Sequence, residues 1–427
     1  VAVEGAKQTK PFHFPAGQVF AHGTFSHYIL DNQSRHPSPR LMKPTQPTFF
    51  VMIALIGGLA IFSSTLSKTP VLPLFAQSLH ASPAEIGWIV MASTLPGILI
   101  SFPAGALSDY LGSRRLLLAS LVVFATAPFL YLLIHSAWQL MAVRFYHGFA
   151  TAIFGTVASA AIAERYTADR AARLSTFSSI TIVGRSIAPF LGGALISLAS
   201  FHAVYIACAI SGVLALAAGL LLRAGESVPT TKRERPHFWA SLAAVLRERG
   251  IMLVSLIEAA QYLVFGAIEA FLALFAASLG IPPWQIGIIL GVQLISIVFA
   301  KPLMGRVSDR VGRRQVIIPG LLVGAASIVL LPYAPNFIGL SLLSLIFGIG
   351  FATVTSSTSA LVADLTRNGR YGSSMGVLRT VMDVGQSIGP VLTGWMVGVA
   401  GYGSAFTLLA AILVLAALSL GLLFREA

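Results

Sequence analysis

Residues 74–87 read LFAQSLHASPAEIG, and residues 274–287 read LFAASLGIPPWQIG. The two stretches agree at eight of fourteen positions, at an offset of 200 residues. Working outward, GALSDYLGSRR (105–115) aligns with GRVSDRVGRRQ (305–315), and Gly148 with Gly348. AERYTADR (163–170) aligns with ADLTRNGR (363–370), and GRSIAPFLGG (184–193) with GQSIGPVLTG (385–394), where the offset becomes 201. Five agreements in the same order mark an internal duplication. Two related halves in parallel orientation, with a substrate site between them near mid-membrane, is a transporter plan.

The chain around these repeats is 56% hydrophobic and 10% charged, with a mean hydropathy of +0.83. A soluble domain carries about 25% charged residues, so a water-soluble enzyme is excluded. Apolar segments at about 49–78, 86–107, 116–134, 138–163, 174–199, 203–223, 251–279, 285–304, 316–334, 337–363, 373–399 and 403–423 are each long enough to cross the ~30 Å hydrocarbon layer. We expect an all-α membrane protein of twelve transmembrane helices in two pseudo-symmetric six-helix halves. The expected divisions are a polar, disordered tail (1–47), an N-terminal half (48–223), a cytoplasmic linker (224–250) and a C-terminal half (251–427). The stretch before Met42 differs so much from the rest that we expect it to precede the natural start. Within the linker, His237 to Arg249 has the pattern of a short interfacial amphipathic helix.

The net charge of +13 is distributed by side. Alternate joins hold Arg114 and Arg115; Arg165, Arg170 and Arg173; six cations between Arg223 and Arg249; Arg306, Arg310, Arg313 and Arg314; and Arg367 and Arg370. The opposite joins, near 80–85, 135–137, 200–202, 280–284, 332–336 and 400–404, contain no Lys or Arg. Cationic joins stay cytoplasmic, so both termini are expected inside, and the excess charge is orientation charge rather than a nucleic-acid footprint. These residues can also touch anionic lipid headgroups. The single cysteine, Cys208, excludes an intrachain disulfide. No phosphate-binding loop, HExxH or Cys/His cluster is present, so no metal or other cofactor is expected.

The turn after the second span carries Gly105, Asp109, Gly112, Arg114 and Arg115; its copy after the eighth carries Gly305, Asp309, Arg310, Gly312, Arg313 and Arg314. Glycines permit tight turns and close helix approach, and the charged cluster is suited to latch the halves together and release. With twelve spans and duplicated halves, these turns resemble the major facilitator superfamily over residues 48–424. The first copy departs from that family's pattern, with Tyr110 and Ser113 where basic residues are usual. The resemblance implies a charge relay through Asp109, Arg114 and Arg115 that stabilises the outward-open state.

Arg144 and Gly148 resemble the core of the family's fourth-helix motif, linked to proton coupling. A charge in mid-span should face a cavity or a partner. His147 beside it is a side chain that changes charge near neutral pH. In the fifth span, Gly184, Pro189, Gly192 and Gly193 resemble the helix-five signature of drug antiporters, with Ala188 where that pattern has Gly. The resemblance implies a hinge that prevents leakage, and it favours export; Pro189 removes a helix hydrogen bond and favours a bend. The eleventh span repeats the pattern with Gly385, Gly389, Pro390 and Gly394.

Few other charges lie within spans. Glu258 and Glu269 stand eleven residues apart, on one face of the seventh helix with Tyr262 and Phe265 between them. A carboxylate held out of water can trade its proton in the working pH range. Lys68 is one place from Thr69, the repeat equivalent of Glu269, so a Lys68–Glu269 pair across the cavity is expected, serving as a structural bridge or a coupling site. Glu258, nearer the cytoplasmic end, reads equally as solvated helix. Arg379 and Asp383 are spaced i,i+4 and are expected to neutralise each other. Lys301 is expected to snorkel to the interface. Arg185 either binds an anionic substrate or partners a carboxylate from another span.

The composite expectation is a proton-driven secondary transporter in the bacterial inner membrane. It would export a small amphipathic drug or metabolite by alternating access, with no obligate protein partner. A proton-coupled importer or facilitator of a polar solute is the alternative within the class. A non-transporting receptor or scaffold is a poorer fit, because it needs no costly intramembrane ions.

Overall fold

The computed structural model describes residues 47–100, 113–167, 169–222, 245, 247–366 and 371–423. The amino-terminal tail, most of the 224–250 join, and Gly105, Asp109, Gly112, Arg223, Arg367 and Arg370 lie outside the described residues.

Eleven helices among the described residues are long and apolar enough to cross a membrane. The last, Ser373–Leu423, is two spans: Gly401 interrupts it with φ 78° and ψ 175°, a conformation that a side chain disfavours. The result is the twelve-helix arrangement of a multi-pass integral membrane protein. The other spans, in order, are Phe49–Ser78, Pro83–Ile100, Arg114–Tyr131, Ala137–Arg165, Ala172–Leu198, Phe201–Leu221, Arg249–Ser278, Pro283–Val311, Arg313–Tyr333 and Phe337–Leu365.

The joins without Lys or Arg are closed by neutral caps. Ser82 accepts the Glu85 amide at 3.3 Å while the Glu85 carboxylate accepts the Ser82 amide at 2.8 Å, a capping box ahead of the second span. Ser136, Ser200 and Asn336 cap the fourth, sixth and tenth spans through Gln139, Ala203 and Gly339. Helix amides that would otherwise be orphaned are thus satisfied by short uncharged side chains.

The first span is not one helix. Its helix runs Pro47–Leu66, residues 67–70 form turns, and the helix resumes at Val71–Ser78. Pro70 has no amide proton and disfavours helix in the residue before it, so the break falls where the sequence reads Ser67-Lys68-Thr69. Lys68 is ten residues from the end of this span and Glu269 nine from the end of the seventh, about 15 Å at the helical rise, so both stand near mid-depth.

The halves meet at the end whose joins lack cations. A Cβ added to Gly287 of the eighth span would lie 2.5 Å from the Pro189 carbonyl oxygen of the fifth. A Cβ on Gly87 of the second span would lie 2.5 Å from the Pro390 carbonyl of the eleventh. Only glycine permits either approach. Thr94 and Ser387 share a hydrogen bond of 2.7 Å beside the second contact, and the Trp284 amide donates to Ser197 at 3.0 Å beside the first. Toward the other end, Thr176, Ser178, Ser179 and Arg185 of the fifth span and Arg379 and Thr380 of the eleventh are exposed. Polar side chains exposed on two membrane helices are what a cleft toward the cationic joins requires, since charged groups in a span must face a cavity or a partner.

Candidate functional site

The break in the first span supplies three neighbouring side chains that reach in two directions. Lys68 Nζ donates to Glu269 Oε2 at 2.8 Å, and Thr69 Oγ1 donates to Glu269 Oε1 at 2.8 Å. Both carboxylate oxygens of the C-terminal half are therefore held by the N-terminal half. The Lys68 and Glu269 side chains are only 21% and 13% exposed, so the pair is shielded from bulk water. Ser67 turns the other way and accepts from Arg144 Nη1 at 3.2 Å.

Arg144 is buried within the N-terminal half and also donates to the Tyr131 hydroxyl at 3.1 Å. That hydroxyl is 3.2 Å from His147 Nδ1, and the Tyr131 ring stacks on Tyr205 with centroids 4.5 Å apart. Arg144 Nε and His147 Nε2 are buried without a hydrogen-bond partner among the described residues. No carboxylate forms an ion pair with Arg144 there; hydroxyls and an aromatic face surround the guanidinium instead. Sequence reading missed Tyr131 and Ser67, because a Tyr or a Ser in an apolar span reads as ordinary filling.

Glu258 departs from the solvated reading. It is 2% exposed and accepts a hydrogen bond from the Thr358 hydroxyl of the tenth span, with Lys301 of the eighth close enough to act on it electrostatically. The expected neutralisation of Asp383 by Arg379 is also not a contact: no ion pair forms between them, Arg379 is exposed and Asp383 half-buried. Their i,i+4 spacing gives a shared face but leaves the groups beyond ion-pair distance, with Arg379 still within electrostatic reach of Asp383. Tyr262 is half-buried, with Phe351 at 5.0 Å and Phe265 at 6.1 Å between centroids. Its hydroxyl is within electrostatic reach of Glu258, Arg185, Asp383 and Arg379, and Arg185 also acts on Glu269.

Among the described residues, Arg114, Arg313 and Arg314 of the loop motifs bond within their own halves. Arg313 pairs with Asp309 and with Asp364 at 3.0 Å, tying the turn after the eighth span to the end of the tenth. Arg314 donates to the Gly421 carbonyl, and Gly312 turns the chain at φ 108°. Gly305 faces open space and Arg310 is exposed. In the first copy, Arg114 donates to the Leu222 carbonyl at 2.9 Å and Arg115 is exposed. The fifth-span motif lies in an uninterrupted helix, Arg170–Leu198: Gly184 and Gly192 seat it on the first span, Ala188 and Pro189 are buried, and Gly193 meets Gly287. Gly389 seats the eleventh span on Leu263 of the seventh, and Pro390 meets Gly87.

A twelve-span bundle in two repeated halves, with a broken helix at mid-depth and a charge pair bridging the halves, is the arrangement of a secondary transporter. The profile of the Major Facilitator Superfamily matches residues 53–275 and 254–427, and the chain belongs to that family. A relative described as an uncharacterized MFS-type transporter, from Methanocaldococcus jannaschii, is 23% identical over 79% of this chain and 88% of its own length. The multidrug transporter MdfA of Yersinia pestis is 23% identical over 69% of this chain and 75% of its own. The multidrug resistance protein MdtG of Enterobacter lignolyticus is 22% identical over 84% and 88%. Among solved structures, a mutant of the nucleoside transporter NupG superposes with TM-score 0.76 at 15% identity, covering 88% of this chain and all of that one. An inward-facing bacterial homologue of the lysosomal transporter Spinster gives 0.72 at 17%, covering 89% and 95%.

Proposed function

We propose that this transporter exports a small amphipathic drug or metabolite in exchange for inward-moving protons, from the bacterial inner membrane with both termini cytoplasmic. The observation that carries the reading is the capture of Glu269 by Lys68 and Thr69 across the halves. An ionised Glu269 holds the outer end shut. Cargo entering from the cleft weakens the bridge and favours opening outward, and the carboxylate freed from Lys68 then takes up a proton from outside. Closing again restores the pair and drives the proton off toward the cytoplasmic cleft.

With cationic joins inside, the described conformation is open inward, the state in which an exporter loads its cargo. The multidrug names of the MdfA and MdtG relatives favour drug-like substrates. Tyr262, Phe265 and Phe351 offer an aromatic wall that suits apolar cargo. Arg144, bonded to Ser67 one residue before Lys68, provides a route by which the Tyr131–His147 cluster can sense or bias the bridge. The loop arginines 313 and 314, bonded within their half in this state, would be released to engage the other half when the cytoplasmic end closes.

The test is transport in proteoliposomes with an imposed proton gradient and a panel of amphipathic compounds. Substrate-dependent proton flux is expected, and Glu269→Gln should abolish gradient-driven movement. Compound movement that is equally fast without the gradient would overturn the antiport.

A further inference from the structure

The intramembrane charges that face the cleft do not balance. Glu269 is paired with Lys68, Glu258 lies near Lys301, and Asp383 lies one helical turn from Arg379. Arg185 is exposed and makes no hydrogen bond or ion pair among the described residues.

Its position ties it to the seam between the halves. Arg185 is one turn below Pro189, on the face of the fifth span that meets Gly287 of the eighth where the halves close. It therefore stands just beneath that closure, with Glu269 and the Tyr262 hydroxyl of the seventh span within electrostatic reach; Glu258, Asp383 and Arg379 are within reach of the same hydroxyl, so Arg185 and Arg379 offset the two carboxylates there. The Tyr262 hydroxyl makes no hydrogen bond among the described residues, and its ring continues into Phe265 and Phe351. A phenolic donor thus heads an aromatic wall, with a guanidinium fork within electrostatic reach of it. That combination recognises an oxyanion on an apolar body.

We propose that Arg185 and the Tyr262 hydroxyl bind the anionic group of the substrate, and that the substrate is an amphipathic organic carboxylate or similar oxyanion. This rests on the export reading and adds the substrate class to it. An anion at Arg185 also competes with Glu269 for the local positive field, so loading loosens the bridge that closes the outer end. Cationic amphiphiles meet Arg185 as a like charge and are disfavoured.

The experiment is calorimetric binding of three matched probes, phenylbutyrate, phenylbutyramide and phenylbutylamine, to the purified full chain in a neutral detergent. Phenylbutyrate should bind about tenfold or more tighter than the other two. Arg185→Gln should bring phenylbutyrate down to the level of the amide, Arg185→Lys should restore part of the preference, and Tyr262→Phe should weaken the anion alone by a smaller factor. Preference for the amine, no binding of any probe, or an anion preference that survives Arg185→Gln in a protein of unchanged melting temperature overturns the proposal. Gradient dependence is scored separately with phenylbutyrate in proteoliposomes. Anion-selective binding with gradient-independent movement would leave this assignment standing and remove the antiport.

Discussion

Glu269 of the seventh span holds Lys68 of the first at 2.8 Å, and the bond crosses from one half of the transporter to the other near mid-membrane. Below it the cleft opens toward the cationic joins; above it the glycine contacts close the molecule. Because Thr69 takes the second carboxylate oxygen, the charge on Glu269 is bonded entirely from the opposite half. One proton can therefore alter how the halves associate.

Removing one partner of this shielded pair should cost more than removing both. We expect Lys68→Met to lower stability by about 1–3 kcal/mol, because it strands a carboxylate with little access to water. Lys68→Met combined with Glu269→Gln should recover most of that loss while leaving gradient-driven transport absent. Thermal unfolding of the three variants in one detergent measures the difference.

The outer closure should be lockable. Thr94→Cys with Ser387→Cys replaces two hydroxyls 2.7 Å apart, and the native Cys208 is fully buried and out of reach. Mild oxidant should form a disulfide that stops transport, and reductant should restore it. Adding Gly287→Val, which has no room against the Pro189 carbonyl, should lower the yield of cross-link. Gel mobility and transport rate on the same samples provide the readout.

Arg144 depends on hydroxyl partners, so their loss should be felt at the buried guanidinium. Tyr131→Phe removes one acceptor from Arg144 and the partner of His147 Nδ1 together, and we expect about 1–3 kcal/mol of destabilisation. Arg144→Lys keeps the charge but not the fork, and transport should fall about tenfold or more. Melting temperature and initial transport rate separate the two effects.

Glu258 should behave as a buried carboxylate rather than a surface one. Thr358→Val removes its hydroxyl donor and should cost about 1–3 kcal/mol. The same change in a Glu258→Gln background should cost less, since a neutral amide is cheaper to leave underbonded than a carboxylate. A double-mutant cycle read by thermal unfolding gives the coupling.

Much of this was legible in the sequence because membranes restrict the options. Twelve apolar runs and two aligned halves leave few folds, and the repeat itself brought Lys68 and Thr69 level with Glu269. Other features were hidden for physical reasons. The i,i+4 spacing of Arg379 and Asp383 permits a pair without requiring one, and with Arg379 exposed and Asp383 half-buried the two stand apart. Glu258 reads as solvated because distance along the helix puts it near the cytoplasmic end, whereas its burial is set by the tenth span opposite it. Tyr131 and Ser67 carry no charge to mark them, and their role appears only once the break at Pro70 turns Ser67 toward Arg144. The glycines of the fifth and eleventh spans were legible as a motif, but the seam between halves that Gly193 and Gly287 form needs the fold.

The most direct test reads the distance between the halves at the outer end. Leu133 and Tyr333 are repeat equivalents on opposite halves, 69% and 80% exposed, beside joins without cations. Nitroxides on Leu133→Cys and Tyr333→Cys in lipid nanodiscs, measured by double electron–electron resonance, report that end alone. The expected result is a short distance in the parent protein, a growing longer population in Lys68→Met, and the longer distance in Glu269→Gln. A distribution unchanged by Lys68→Met and by Glu269→Gln would contradict the role given to the Lys68–Glu269 bridge.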